Sequence, residues 1–124
     1  FASFKTKFKK EKLSIAAKEK NLKKLIEDLN KQSMVLSPAL KKKKEEALIK
    51  KKKNFERYVQ DKNEEFAKSE KAITSIILKK MVKIVKDLGE SKNFTMILER
   101  KIGLYFDQSV DLTALAIRTY NKTK

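Results

Sequence analysis

From residue 1 to residue 36 an apolar side chain recurs at every seventh position: Phe1, Phe8, Ile15, Leu22, Leu29 and Leu36. An unbroken repeat of this kind lays one apolar stripe along a helix. The companion positions of a full coiled-coil seam are mixed. Phe4 and Leu25 are apolar, but Glu11, Lys18 and Gln32 are polar. The pattern predicts a helix with one narrow dry face and wet flanks.

The lone proline ends this helix. Pro38 disfavours helical geometry in the residue before it, so the helix is expected to stop by about Leu36. Ser37 then suits an N-cap and Pro38 the first residue of a second helix. No breaker follows until Gly89, and the apolar positions include Leu48, Phe55, Val59, Phe66, Ile73, Ile77, Ile84 and Leu88. Phe55, Phe66, Ile77 and Leu88 are eleven residues apart, a spacing that favours nearly straight or slightly right-handed packing.

Folding back at the proline pairs residues whose numbers sum to about 74. Phe8 then faces Phe66, Ile15 faces Val59, Ile26 faces Leu48 and Phe1 faces Ile73. Residues 1–73 are therefore expected to form a long antiparallel helical hairpin, a tentacle with its tip near 33–38. At ~1.5 Å per residue each arm would be roughly 50 Å long.

Residues 74–88 continue the second helix beyond any partner in the first. They are also its most apolar part, with Ile76, Ile77, Leu78, Met81, Val82, Ile84, Val85 and Leu88, so something must cover them. After Gly89 the texture changes. Phe94–Leu98 and Ile102–Phe106 read as two short strands, with Glu99-Arg100-Lys101 as the turn between them. Asp111 is expected to cap a last helix from Leu112 to about Tyr120, with Leu112, Leu115 and Ala116 facing inward. The fold class is mainly α with a small β element: the hairpin plus a small α+β body over residues 74–124. A two-stranded ribbon is marginal alone, so this body is expected to be an oligomerisation body. Phe94, Met96, Leu98, Leu104, Phe106, Leu112 and Leu115 are its candidate contacts.

Composition narrows the function. The 124 residues include no Cys and no His, which removes disulfides, thiolate chemistry, the usual zinc sites and the commonest general base. Asp107-Gln108-Ser109-Val110-Asp111 opens like a calcium loop, but Leu112 stands where glycine is needed and Arg118 where a bidentate glutamate is needed. Turn formation is the better reading. No phosphate loop or nucleophile–base constellation is present, so neither an enzyme nor a cofactor is expected. No run of 18 apolar residues spans a bilayer. No signal-peptide pattern is visible, so the chain is expected to be cytoplasmic or a mature or trimmed form.

The net charge is +16, from 32 basic and 16 acidic residues. Residues 31–53, around the expected tip, hold nine lysines against two glutamates, including Lys41, Lys42, Lys43, Lys44, Lys50, Lys51, Lys52 and Lys53. Two readings stay open: a solvated face that keeps the arms soluble, or long-range attraction of an acidic partner. Nucleic acid fits the charge. However, 29 of the 32 basic residues are lysine, and specific recognition leans on arginine's fork, so no specific nucleic acid is expected. Met34, Val35 and Leu36 either staple the turn or offer adaptable apolar contact to a client.

Lys92-Asn93-Phe94-Thr95-Met96-Ile97-Leu98, Gly103-Leu104-Tyr105-Phe106 and Val110-Asp111-Leu112-Thr113 together resemble the C-terminal end of the Skp (OmpH-like) periplasmic chaperones. Leu36-Ser37, Lys41–Glu46 and Phe55–Asp61 are similar to the tentacle hairpins of that family. The resemblance implies a periplasmic, jellyfish-shaped homotrimer that holds unfolded outer-membrane proteins without ATP. The clients would sit in a cavity between three basic arms. Apart from the resemblance, the basic charge makes an anionic membrane surface a further expected contact. The family also begins with a strand and a first helical stretch that enter the body. The expectation is that this chain either lacks that part or closes its body differently. A lipopolysaccharide-binding site is not carried over, since its residues have no match here. A non-specific nucleic-acid-binding coiled coil and a structural coiled-coil scaffold remain the alternatives.

Overall fold

The computed structural model describes residues 1–123 and contains three α-helices: α1 (Ala2–Gln32), α2 (Pro38–Ser91) and α3 (Thr113–Lys122). Two 3-10 turns, Arg100–Ile102 and Gln108–Val110, lie between α2 and α3. The chain divides into two units, Phe1–Glu70 and a second beginning at Lys71.

The first unit is an antiparallel helical hairpin. The Phe8 and Phe66 rings meet edge to face with centroids 5.0 Å apart, and Phe4 reaches the same ring at 5.9 Å. Lys7 donates to Glu65, Tyr58 to Glu11, and Lys44 to Gln32. Early residues of α1 thus meet late residues of this part of α2, and late residues meet early ones. The residue numbers of these contacts sum to between 69 and 76, close to the register the stripe predicts. Ile15, Val59, Ile26 and Leu48 are half-buried, whereas Phe1 is 67% exposed. Phe66 is the sole buried apolar residue of this unit among those described. Two helices cover only one stripe of each other, so little more can be buried.

Helix α1 stops at Gln32, four residues before the expected end at Leu36. The reversal itself needs those residues. Val35 and Leu36 both donate their amides to the Gln32 carbonyl, and the Ser33 hydroxyl donates to the Asn30 carbonyl at 2.9 Å. The start of α2 is as expected. Pro38 is its first residue, the Leu40 amide donates to the Ser37 hydroxyl at 3.4 Å, and the Lys41 amide bonds the Ser37 carbonyl.

In the second unit, α2 runs straight through Gly89 to Ser91. Its end is set by Asn93, whose φ of 54° places it in the left-handed region. The Phe94 amide bonds the Gly89 carbonyl at 2.9 Å and the Asn93 amide bonds the Glu90 carbonyl at 3.3 Å. This is the paired closure of a Schellman motif, with asparagine in the place usually taken by glycine.

No strand is present among the described residues. Phe94–Leu98 and Ile102–Phe106 are expected as strands, but Phe94–Leu98 and residues 103–106 are irregular and Ile102 ends the first 3-10 turn. The turn expected at Glu99–Lys101 exists as a 3-10 turn, closed by Ile102 N–H to the Glu99 carbonyl at 3.1 Å. A strand is defined by the edge it bonds to, and the two segments do not pair with each other. The fold is therefore mainly α, as expected, without the small β element.

Asp111 does organise the start of the last helix. Its carboxylate accepts from the Thr113 hydroxyl at 2.6 Å and the Thr113 amide at 2.9 Å, and α3 begins at Thr113. Ile84 and Ala116 are the buried residues of this unit among those described.

Candidate functional site

The hairpin's polar contacts lie where its apolar stripe is interrupted. Glu11, Lys18 and Gln32 occupy seam positions that the repeat leaves polar, and each finds a partner on α2. Glu11 accepts the Tyr58 hydroxyl, the Lys18 ammonium sits 5.1 Å from the Tyr58 ring centre, and Gln32 accepts from Lys44 at 3.0 Å. Lys62 lies 5.9 Å from the same ring, within cation–π range. Lys62 also donates to Glu65 at 2.9 Å, while Lys7 reaches Glu65 from α1 at 2.7 Å. Bonds from Lys7 and then Lys62 hold the Glu65 carboxyl at about 2, well below its ordinary 4.5. The bond that Tyr58 donates to Glu11 raises the phenol's pKa. A mixed polar ladder thus fixes the register of two helices that share very little core.

At the tip, Met34 is 95% and Val35 83% exposed, while Leu36 is half-buried. Only Leu36 is placed to staple the turn. Lys42, Lys43, Lys44, Lys50, Lys51, Lys52 and Lys53 are exposed and Lys41 is half-buried. Among the described residues none of the eight lies within ion-pair distance of a carboxylate. Consecutive helical residues are about 100° apart, so each run of four lysines wraps most of the helix circumference. The structure joins a bare apolar tip to an uncompensated ring of ammonium groups in one unit of the molecule.

Asp107 and Asp111 do not converge on a metal. Asp107 accepts the Ser109 amide at 2.9 Å and Asp111 is occupied by Thr113, so each closes its own turn. No group of three metal-capable side chains occurs among the described residues. Among the described residues no helix is long and apolar enough to cross a membrane.

A protein-family profile described as outer membrane protein (OmpH-like) matches residues 2–120. The chain belongs to the OmpH-like family. A crystal structure of a protein from Caulobacter crescentus CB15, described as a candidate outer membrane chaperone (OmpH-like), has the same fold. It is 13% identical, with a TM-score of 0.84 over 99% of this chain and 73% of that one. No curated protein matches the chain in sequence.

In this OmpH-like chain the residues expected to form the body are mostly bare. Phe94 is 43%, Met96 69% and Leu98 60% exposed, and Leu104 is fully exposed. Phe106, Leu112 and Leu115 are half-buried. Phe106 is held beneath Arg100, whose guanidinium lies 5.0 Å from the ring centre and 4.0 Å from Asp111. Reading the sequence missed Tyr58, the hub of the polar ladder. Its signal was available: three polar residues at seam spacing call for a polar or aromatic partner opposite.

Proposed function

We propose that this protein is a holdase chaperone that binds unfolded outer-membrane proteins along its basic helical arms without ATP. The observation that carries this reading is the tip, where exposed Met34 and Val35 stand among eight lysines with no carboxylate partner. Unpaired ammonium groups attract an acidic, unfolded chain over a distance set by the ionic strength. A flexible methionine then makes unspecific apolar contact without demanding one client shape. Many weak contacts acting together hold a client strongly while leaving each segment mobile. The family and the fold it shares with the Caulobacter protein agree with this role and with a periplasmic location.

The working form in this reading is a homotrimer. Phe94, Met96, Leu98 and Leu104 become covered by neighbouring copies, and the irregular segments 94–98 and 103–106 acquire strand edges to bond to. The same lysines would let the arms rest on an anionic membrane surface. The test is light scattering of an outer-membrane protein diluted from denaturant at low salt. Equimolar protein, counted as trimer, is expected to suppress aggregation, with suppression weakening as salt rises. Aggregation that proceeds unchanged at low salt rules the holdase out.

A further inference from the structure

Two of the carboxylates that lack a cation partner among the described residues, Glu56 and Glu64, lie at mid-arm beside a shallow apolar groove. Phe55 and Val59 form its half-buried floor and Glu56, Gln60, Asn63 and Glu64 its rim, and it is shallow and open to solvent. All six belong to one flank of α2 at helical spacing. Gln60 donates to Glu64 at 3.1 Å, yet neither Glu56 nor Glu64 has a cation within ion-pair distance among the described residues.

A complementary surface lies on α1 of the same unit. Leu13 is 64% exposed, off the stripe that faces α2. Its neighbours on the helix surface are Lys9, Lys10, Ala16, Ala17 and Lys20, all exposed. None of the three lysines has a carboxylate partner among the described residues. The small alanines leave room for a close approach around Leu13. Lys10 and Lys20 are spaced by about 15 Å along the helix and Glu56 and Glu64 by about 12 Å, so lysine stems can bridge the difference. Within one hairpin the Leu13 stripe points away from α2, so the two faces cannot meet. In two copies they can.

We propose that the Phe55–Val59 groove is a docking face for the Leu13 stripe of a second copy of this chain. Leu13 covers the Phe55–Val59 floor, and Lys10 and Lys20 pair with Glu56 and Glu64. Arms of separate copies then associate side by side through a charge-dependent contact. This contact is independent of the client-holding role.

The chain has no cysteine, so introduced thiols report this contact alone. Leu13→Cys is co-refolded with Gln60→Cys, or with Ala47→Cys as an exposed site outside the groove, and glutathione disulfide is added. The two introduced thiols are oxidised to one disulfide between the copies, as glutathione disulfide is reduced to two molecules of glutathione. The expected result is several-fold more mixed disulfide with Gln60→Cys than with Ala47→Cys in dilute buffer. That excess should disappear at about 1 M salt, where screening falls to a few ångströms, and on adding Glu56→Gln and Glu64→Gln. Equal cross-linking of the two partners, or an excess indifferent to salt and to both substitutions, overturns the proposal. Cross-linking is read directly, so it stands or falls separately from aggregation suppression.

Discussion

Glu65 is the residue whose chemistry most directly ties the arm together. Its folded-state pKa is lowered to about 2 by Lys7 and Lys62, so its ion pairs stabilise the hairpin fully above the ordinary carboxylate range near 4.5. That contribution is lost as pH falls from about 4.5 through about 2. Thermal melts followed by far-UV circular dichroism should show the melting temperature falling over this window, and Glu65→Gln should flatten that part of the profile. Asn93 offers a second single-residue test. Because it sits at φ 54°, Asn93→Ala should cost about 1 kcal/mol of stability in urea unfolding, while Asn93→Gly should be neutral or stabilising. Asn93 also shows why the end of α2 was hard to read. The glycine at 89 looks like a terminator, but a glycine inside a helix costs only about 1 kcal/mol, and the left-handed turn falls on the asparagine four residues on.

Among the elements, the hairpin was the legible part of this fold. A seven-residue stripe on α1 and matching apolar positions on α2 set its register, and the Phe8–Phe66 contact at 5.0 Å lies where that register puts it. Stripes repeat, so a sequence states them many times over. The segment from 94 to 106 was not legible in the same way. Its β-rich composition describes what the backbone does beside a suitable edge, and none occurs among the described residues. The candidate site divides along the same line. The charge of the tip could be counted from the sequence, but the exposure of Met34 and the covering of Leu36 depend on how residues 33–37 close the turn. The thinness of the hairpin has a consequence for stability. Phe66 is its one buried apolar residue among those described, and three phenylalanine rings meet there. Phe66→Ala should destabilise the arm by about 3 kcal/mol. Limited proteolysis should then cut residues 1–70 faster than the rest of the chain. Unchanged cleavage would mean the polar ladder alone holds the arm.

For the molecule as a whole, exposed surface is the governing quantity. The chain presents 11042 Å² of accessible surface. A compact protein of its 14.4 kDa mass would present about 6,800 Å². Three apolar residues are buried among those described and many large ones are not, which leaves much apolar surface open to contact. Lysine dominates its charge, and point-like ammonium groups on flexible stems favour attraction over recognition of one partner geometry. Replacing any one of the eight tip lysines by glutamine should barely change client affinity, whereas replacing all eight should reduce it strongly. The most direct test is a fluorescence anisotropy titration of a labelled, urea-diluted outer-membrane protein against this chain at low ionic strength. Saturable binding that weakens steadily with added salt, to a client whose circular dichroism lacks β structure, is the predicted result. No rise in anisotropy at low salt, or binding that requires the client to be folded, would contradict it.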